Sequence, residues 1–176
     1  MSSLPPTSAE DARWLARCLE LAREAAAADE VPVGAVLVVD GVVVGEGRNR
    51  VEERQSPFAH AELEALQQAV QVLGQKRLPM ATLYCTLEPC FLCAGAVLHA
   101  RVRRVVFGAR DPKFGAVRSL ASVLEDPRLN HRCEVLEGVE AEASAALLRT
   151  FFRGKRGGNG GAAGAGAGGG GSRVGS

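Results

Sequence analysis

The 176-residue sequence has no long hydrophobic run and no excess of charge of either sign. No stretch reaches the roughly 18 uninterrupted apolar residues of a membrane helix, and the N-terminus lacks the basic, apolar and small-residue segments of a secretion signal. We therefore expect no membrane span and a cytoplasmic location. A formal net charge of +1 does not by itself predict binding to a polyanion, so a nucleic-acid partner has to be inferred from local features.

The chain also lacks the regularly spaced, even number of cysteines that is typical of a disulfide framework. Two of its five cysteines, Cys90 and Cys93, form a pair three residues apart. The other three, Cys18, Cys85 and Cys133, are single. This arrangement favours metal binding or reduced thiols in a reducing compartment. We expect the three single cysteines to be small buried hydrophobic residues.

The composition, 47% hydrophobic and 23% charged, is typical of one globular domain. We assign residues 9–156 to this domain and residues 1–8 to a flexible N-terminus. Residues 157–176 are almost wholly Gly and Ala and have no hydrophobic period, so they cannot bury a core. They are expected to form a disordered tail.

Hydrophobic periodicity predicts an α/β domain. Asp40-Gly41, between two β-branched runs, is typical of a type I′ hairpin turn. Helices are predicted at residues 9–28, 60–74, 89–99 and 140–153. Strands are predicted at residues 33–39, 42–45, 82–86 and 104–108. Residues 109–132 are predicted to be mostly loop with a short helix. Strands alternating with helices predict three α/β/α layers, with βαβ crossovers in the middle of the chain.

Two short motifs carry the chemistry. His60-Ala61-Glu62 and Pro89-Cys90-Phe91-Leu92-Cys93 match the H-x-E and P-C-x-x-C signature of zinc-dependent nucleobase deaminases. Cysteines three residues apart lie on one face of a helix, and a proline suits the first helical turn, where the helix dipole favours thiolates. We therefore predict that both thiolates and the imidazole bind one zinc ion per chain.

Three protein ligands leave the fourth zinc position for water, which indicates catalysis rather than a structural site. Zinc lowers the pKa of its bound water, and Glu62 is placed to accept that proton and return it to a ring nitrogen. The predicted reaction is hydrolytic deamination: hydroxide attacks the carbon that bears the amine, and ammonia leaves.

Other interpretations of the cysteine pair remain open. A C-x-x-C motif alone is often half of a structural zinc site or a redox pair. A four-ligand structural site would need a further ligand from Cys18, Cys85, His99 or Cys133, and none of these forms a second close pair. His99, near the end of a predicted helix, is more simply a surface or capping residue.

Beyond these motifs, the sequence resembles the bacterial tRNA-specific adenosine deaminases over about residues 10–153. The stretches 108–111 (Gly-Ala-Arg-Asp) and 130–132 (Asn-His-Arg) point to this branch of the superfamily. The resemblance implies a cytidine-deaminase-like α/β/α sandwich with a five-stranded mixed sheet, and a homodimer whose sites border the subunit interface. It also implies a substrate, the wobble adenosine of a tRNA anticodon stem-loop, which is converted to inosine without an organic cofactor.

The same resemblance implies substrate-binding residues. Asn49 matches a position that hydrogen-bonds the flipped purine, and the backbone around Ala61 and Glu88 lines the base pocket. Phe152, Arg153 and Arg156 lie in the helix that meets the anticodon loop. The candidate phosphate contacts are two clusters of cations. The first is Arg101, Arg103 and Arg104, and the second is Arg153, Lys155 and Arg156.

Asp111 follows a predicted strand, at the edge of the sheet where α/β proteins usually bind ligands. We hypothesise that it accepts a hydrogen bond from the ribose 2′-OH of a nucleotide next to the flipped adenosine. Alternatively, Asp111 pairs with Arg110 or Lys113, or caps the turn at Pro112. Two other functions also remain open: deamination of a free base or nucleotide (guanine, cytosine or deoxycytidylate), and a zinc-stabilised binding module without turnover.

Overall fold

The computed structural model describes residues 7–158. Its elements in chain order are α1 (Ala9–Ala27), β1 (Gly34–Val39), β2 (Val42–Arg48), α2 (Val51–Arg54), α3 (Ala61–Leu73), β3 (Thr82–Leu87), α4 (Phe91–His99), β4 (Arg104–Ala109), a 3₁₀ turn (Val123–Glu125), β5 (Glu134–Glu137) and α5 (Ala141–Gly158). Ser8 caps α1, and α5 continues two residues into the segment predicted as a tail. The rest of the predicted N-terminal segment and tail lies outside the described residues.

The five strands form one mixed sheet in the order β2-β1-β3-β4-β5. Strand β1 is antiparallel to both of its neighbours, whereas β3, β4 and β5 are parallel to one another. Helices α1 and α5 pack on one face of the sheet, and α3 and α4 cover the other. The predicted three-layer α/β/α sandwich with a five-stranded mixed sheet is confirmed.

The two layers of core follow from the two-residue period of the strands. In β1, Val36 and Val38 pack with α1, whereas Ala35 and Leu37 pack with the residues of α3 and α4. Both faces of the central strands are therefore apolar. This explains why the sequence shows continuous hydrophobic runs there rather than alternation.

The hairpin between β1 and β2 turns at Asp40 and Gly41, which both have positive φ, as a type I′ turn requires. Strand β2 continues to Arg48, beyond the predicted end at Gly45. Its glycines permit close approach of α3, since a Cβ on Gly47 would lie 2.2 Å from the carbonyl oxygen of Ala61. This contact sets the N-terminal end of α3 against the sheet.

The sequence patterns did not predict two of the observed elements, β5 and α2. Strand β5 has only two apolar residues, and its position is set by parallel pairing with β4. The four-residue helix α2 is held by the buried carboxylate of Glu30, which accepts the backbone N–H groups of Glu52 at 3.2 Å and Glu53 at 2.7 Å. Both elements depend on partners distant in sequence. No helix within residues 7–158 is long and apolar enough to cross a membrane.

Candidate active site

The structure brings the three predicted metal ligands together at the N-terminal ends of two helices. His60 is the N-cap residue of α3, Cys90 is the N-cap residue of α4, and Cys93 lies in the first turn of α4. The Nδ1 atom of His60 lies 3.4 Å from the sulfur of Cys93 and 3.6 Å from that of Cys90. Two ligands of a tetrahedral zinc ion with usual bond lengths lie roughly 3.6 Å apart, so the group fits zinc.

The electrostatics of the site favour a thiolate at Cys90. The thiol of Cys93 donates a hydrogen bond to its sulfur and, although burial opposes the effect, lowers the pKa of Cys90 to about 4; His60 contributes in the same direction. The free N–H groups and dipole at the start of α4 add to this effect. Cys90 therefore offers a negatively charged sulfur to a metal cation.

Glu62 lies in the first turn of α3, and only 4% of its surface is exposed. Burial raises the pKa of its carboxyl group to about 7. Its side chain lines the same cleft as His60 and Cys90. The structure thus places a carboxyl group with a near-neutral pKa beside the ligand cluster.

The remaining cysteines are buried, as predicted. Burial raises the pKa of Cys133 to about 12 and also raises the pKa values of Cys18 and Cys85. Within residues 7–158, the metal-binding group of His60, Cys90 and Cys93 gains no fourth ligand from these cysteines or from any other His, Asp or Glu. His99 is exposed at the end of α4. This arrangement fits a three-ligand site and not a four-ligand structural one.

The cleft beside this cluster has a volume of about 720 Å³ and lies at the carboxyl ends of β3 and β4. Six segments form it: the turn after α1, the start of α2, the start of α3, the stretch from the end of β3 to the start of α4, the segment after β4 and the C-terminal part of α5. The predicted residues on its wall are Asn49, His60, Glu62, Glu88, Cys90, Asp111 and Phe152.

Asn49 is oriented by the start of α3. Its Oδ1 atom accepts the backbone N–H of Ala61 at 3.0 Å. Because this contact uses the carbonyl oxygen, the NH₂ group is the part of the amide left for a ligand in the cleft. Ala61 is fully buried and does not line the cleft; its backbone N–H holds the Asn49 side chain.

Glu88 lies on the cleft wall, but its carboxylate forms its hydrogen bonds with other residues of the protein. Its carboxylate accepts hydrogen bonds from the backbone N–H groups of Asp111, Val117, Arg118 and Ser119 and from the Ser119 hydroxyl. Burial alone would raise the pKa of this carboxyl group, but the hydrogen bonds outweigh burial and hold the pKa below its usual value.

Asp111 caps the turn that follows it. Its Oδ1 atom accepts the backbone N–H groups of Lys113 at 3.0 Å and Phe114 at 3.2 Å. This is the capping alternative considered from the sequence. The Oδ2 atom forms none of the hydrogen bonds between described residues, so the carboxylate can cap the turn and still accept a hydrogen bond from a ligand.

Helix α5 closes one side of the cleft with Phe151, Phe152 and Lys155. Lys155 is paired with Asp29 at 2.6 Å, whereas Arg153 is exposed and does not line the cleft. Sequence reasoning missed Phe114 and Phe151 as cleft residues. Phe114 lies in a segment without hydrophobic period, and the apolar pattern of α5 does not distinguish a cleft residue from a core residue.

The first predicted cluster of phosphate contacts is not near the cleft. Arg101, Arg103 and Arg104 lie before or at the start of β4, whereas the cleft lies at its end. Arg104 is also paired with Asp11: its two terminal guanidinium nitrogens lie 2.7 and 3.1 Å from the carboxylate oxygens. These residues therefore lie about the length of a strand from the cleft, and their contact with RNA stays a prediction.

The α/β/α sandwich, the His/Cys/Cys cluster and the adjacent glutamate together define a nucleobase deaminase of the zinc-dependent superfamily. A model of the MafB19-like deaminase family matches residues 9–156. The tRNA-specific adenosine deaminase of Agrobacterium fabrum is 47% identical over 148 residues, which are 84% of this chain and 97% of the relative. That of Bacillus subtilis is 44% identical, over 82% of this chain and 89% of the relative. The chain belongs to the tRNA-specific adenosine deaminases.

One solved structure agrees with this assignment, and a second, of another deaminase, is similar in fold. One, from a study of A-to-I editing by tRNA:A34 deaminases at the wobble position, superimposes with a TM-score of 0.74 and is 45% identical, over 77% of this chain and 99% of that one. A guanine deaminase from Nitrosomonas europaea has a TM-score of 0.68 and 28% identity, over 86% of this chain and 89% of that one.

Proposed function

We propose that this protein is a zinc-dependent hydrolase that converts adenosine to inosine at the wobble position of a tRNA anticodon loop. The observation that carries the proposal is the three-ligand cluster with Glu62 beside it, in a chain 44–47% identical to two tRNA-specific adenosine deaminases. The lower identity to the guanine deaminase, 28%, favours tRNA over a free base as substrate. Because tRNA is a cytoplasmic molecule, we place the reaction in the cytoplasm.

One zinc ion would be held by His60, Cys90 and Cys93, and it would supply Lewis acidity that lowers the pKa of water towards neutrality. Glu62 takes a proton from the attacking water, passes it to the purine ring nitrogen and assists departure of the amine. Water adds at the amine-bearing carbon, and the products are inosine and ammonia.

Asn49 would donate a hydrogen bond from its NH₂ group to an acceptor on the flipped adenine. Phe114, Phe151 and Phe152 provide aromatic surface on the cleft wall, and unpaired bases of an RNA loop stack on such surface. Lys155 lies at the same rim, where it is paired with Asp29. The cleft therefore offers recognition of a splayed single strand despite the low net charge of the chain.

We also infer a homodimer. Phe91 and Leu92, which lie between the two cysteine ligands, are 53% and 43% exposed. Two adjacent large apolar side chains at a helix start, next to the metal site, are typical of a contact surface. A second copy of the chain would cover them and border the site.

The test is an inosine-formation assay on an anticodon stem-loop with adenosine at the wobble position, compared with free adenosine, guanine and cytosine. We expect conversion of the stem-loop at a kcat/KM that exceeds those of the free compounds by a factor of at least about 100, because only the RNA uses the aromatic rim of the cleft. Faster conversion of guanine or cytosine would show a free-base enzyme, and zinc binding without ammonia release from any substrate would show a binding module.

A further inference from the structure

The loop of residues 111–119, named here the cleft loop, places Asp111 and Phe114 on the cleft wall. It consists of turns and one isolated bridge, without a helix or strand of its own. A segment of this kind has no internal ladder of hydrogen bonds, so its shape depends on contacts with the rest of the protein.

Glu88 accepts most of the hydrogen bonds that the backbone N–H groups of the loop donate to the rest of the protein. Its side chain is 1% exposed, and it accepts the N–H groups of Asp111 at 2.9 Å, Val117 at 3.0 Å, Arg118 at 2.6 Å and Ser119 at 2.9 Å, together with the Ser119 hydroxyl. The bonds begin at the first residue of the cleft loop and end at the last. One carboxylate thus ties both ends of the loop to the end of β3.

The middle of the loop is wrapped around the same carboxylate. A Cβ on Gly115 would lie 2.3 Å from a Glu88 oxygen, so no larger residue fits there without displacing it. Gly115 also forms a bridge with Cys90, and the N–H of Ala116 donates to the carbonyl oxygen of Pro89 at 2.9 Å. The loop that faces the substrate is therefore attached to the segment that carries a metal ligand.

We propose that Glu88 is a positioning residue for RNA: its side chain sets the cleft loop so that Asp111 and Phe114 face the nucleotides beside the reacting adenosine. This role rests on the proposed function. It requires a carboxylate because all five partners are donors, and a glutamine would turn its NH₂ group towards some of them. An unsatisfied buried donor then destabilises the loop.

The test compares Glu88→Gln with the wild type, both loaded with zinc to equal content. We expect KM for the stem-loop to rise about tenfold with kcat reduced less than about threefold, and amide hydrogen exchange at residues 117–119 to accelerate at least about tenfold. Ser119→Ala, which removes a single donor, should change KM in the same direction by about threefold.

Asp11→Asn is the matched control. Asp11 is also a carboxylate that is 1% exposed and accepts several hydrogen bonds, but it lies in the first turn of α1 and does not line the cleft. It should lower stability and leave KM and exchange in the cleft loop unchanged.

In a wild type that converts the stem-loop, a Glu88→Gln protein with unchanged KM and unchanged loop exchange overturns the role of Glu88. So does an equal rise in KM for Asp11→Asn, which would show a general effect of lost stability. If Glu88→Gln does not fold, an unchanged KM for Ser119→Ala overturns the proposal. A wild type that converts no stem-loop instead overturns the proposed function, and this role with it.

Discussion

Glu62 and Glu88 are both buried at the cleft, yet their surroundings give them opposite properties. Glu62 has few donors, and burial raises the pKa of its carboxyl group to about 7. Glu88 has five donors, and these hold its pKa below the usual value. The first is suited to exchange protons, whereas the second stays ionised and organises the backbone. The role of each glutamate is therefore set by the number of donors around it.

The ligand assignment predicts different results for two alanine substitutions. Cys93→Ala removes one of three ligands and should abolish stoichiometric zinc binding and lower thermal stability. Glu62→Ala leaves the ligand set intact, so it should keep zinc while kcat falls by a factor of about 10² to 10⁴. Zinc content measured by elemental analysis, beside ammonia release, separates the two. Full zinc occupancy in Cys93→Ala would contradict the ligand set.

Asp111→Asn tests the proposed contact with the 2′-OH. Asparagine can still cap the turn through its carbonyl oxygen, so the loop should be retained while the second acceptor is lost. We expect kcat/KM for an RNA stem-loop, relative to that for the matched DNA stem-loop, to fall by about tenfold. An unchanged RNA-to-DNA ratio would leave Asp111 with the capping role alone.

Among the elements, α1 and β4 are joined by a partly buried ion pair at the start of β4, opposite the cleft. The Asp11 carboxylate binds Arg104, the Tyr84 hydroxyl and the backbone of Ser8. Burial alone would raise the pKa of Asp11, but the hydrogen bonds from Arg104 and Ser8 outweigh it and lower the pKa. The helix is thus fixed to the strand by charge as well as by its apolar face.

The stability that this pair supplies should depend on pH. Because the pKa of Asp11 is lower in the folded state, its contribution is complete above the unfolded value of about 4 and is lost as pH falls through the folded value. Asp11→Asn should reduce the free energy of unfolding by about 3 kcal/mol at pH 7, and this difference from the wild type should shrink below pH of about 4.

Denaturant unfolding of both proteins between acidic and neutral pH measures that difference. Asp40→Asn, at an exposed turn, is the control and should change stability by less than about 0.5 kcal/mol. A difference between Asp11→Asn and the wild type that is constant across this pH range would mean that the carboxylate does not act through its charge.

For the whole molecule, the inferred homodimer predicts a mass in light scattering of twice the 18.4 kDa of one chain. Leu92→Glu places a charge on the apolar surface beside the metal site and should shift the protein to monomer and lower deamination of the stem-loop. Val72→Glu, at a 64% exposed position on α3, should leave both unchanged. A wild type that runs as a monomer would refute the dimer.

The sequence by itself determined the class of fold, and it predicted the three ligands and Glu62 that the structure brings together. Hydrophobic periods reflect burial directly, and the ligand motifs are local: Cys90 and Cys93 share one helical turn, and Glu62 lies two residues from His60. Only the tertiary structure decided the other parts of the site. The donors around Glu88 come from residues 23 to 31 positions away, α2 is held by Glu30, and Arg104 is occupied by Asp11. Such contacts pair polar groups that are distant in the chain. Neither the hydrophobic period of the sequence nor the spacing of its motifs predicts which residue a buried carboxylate will contact.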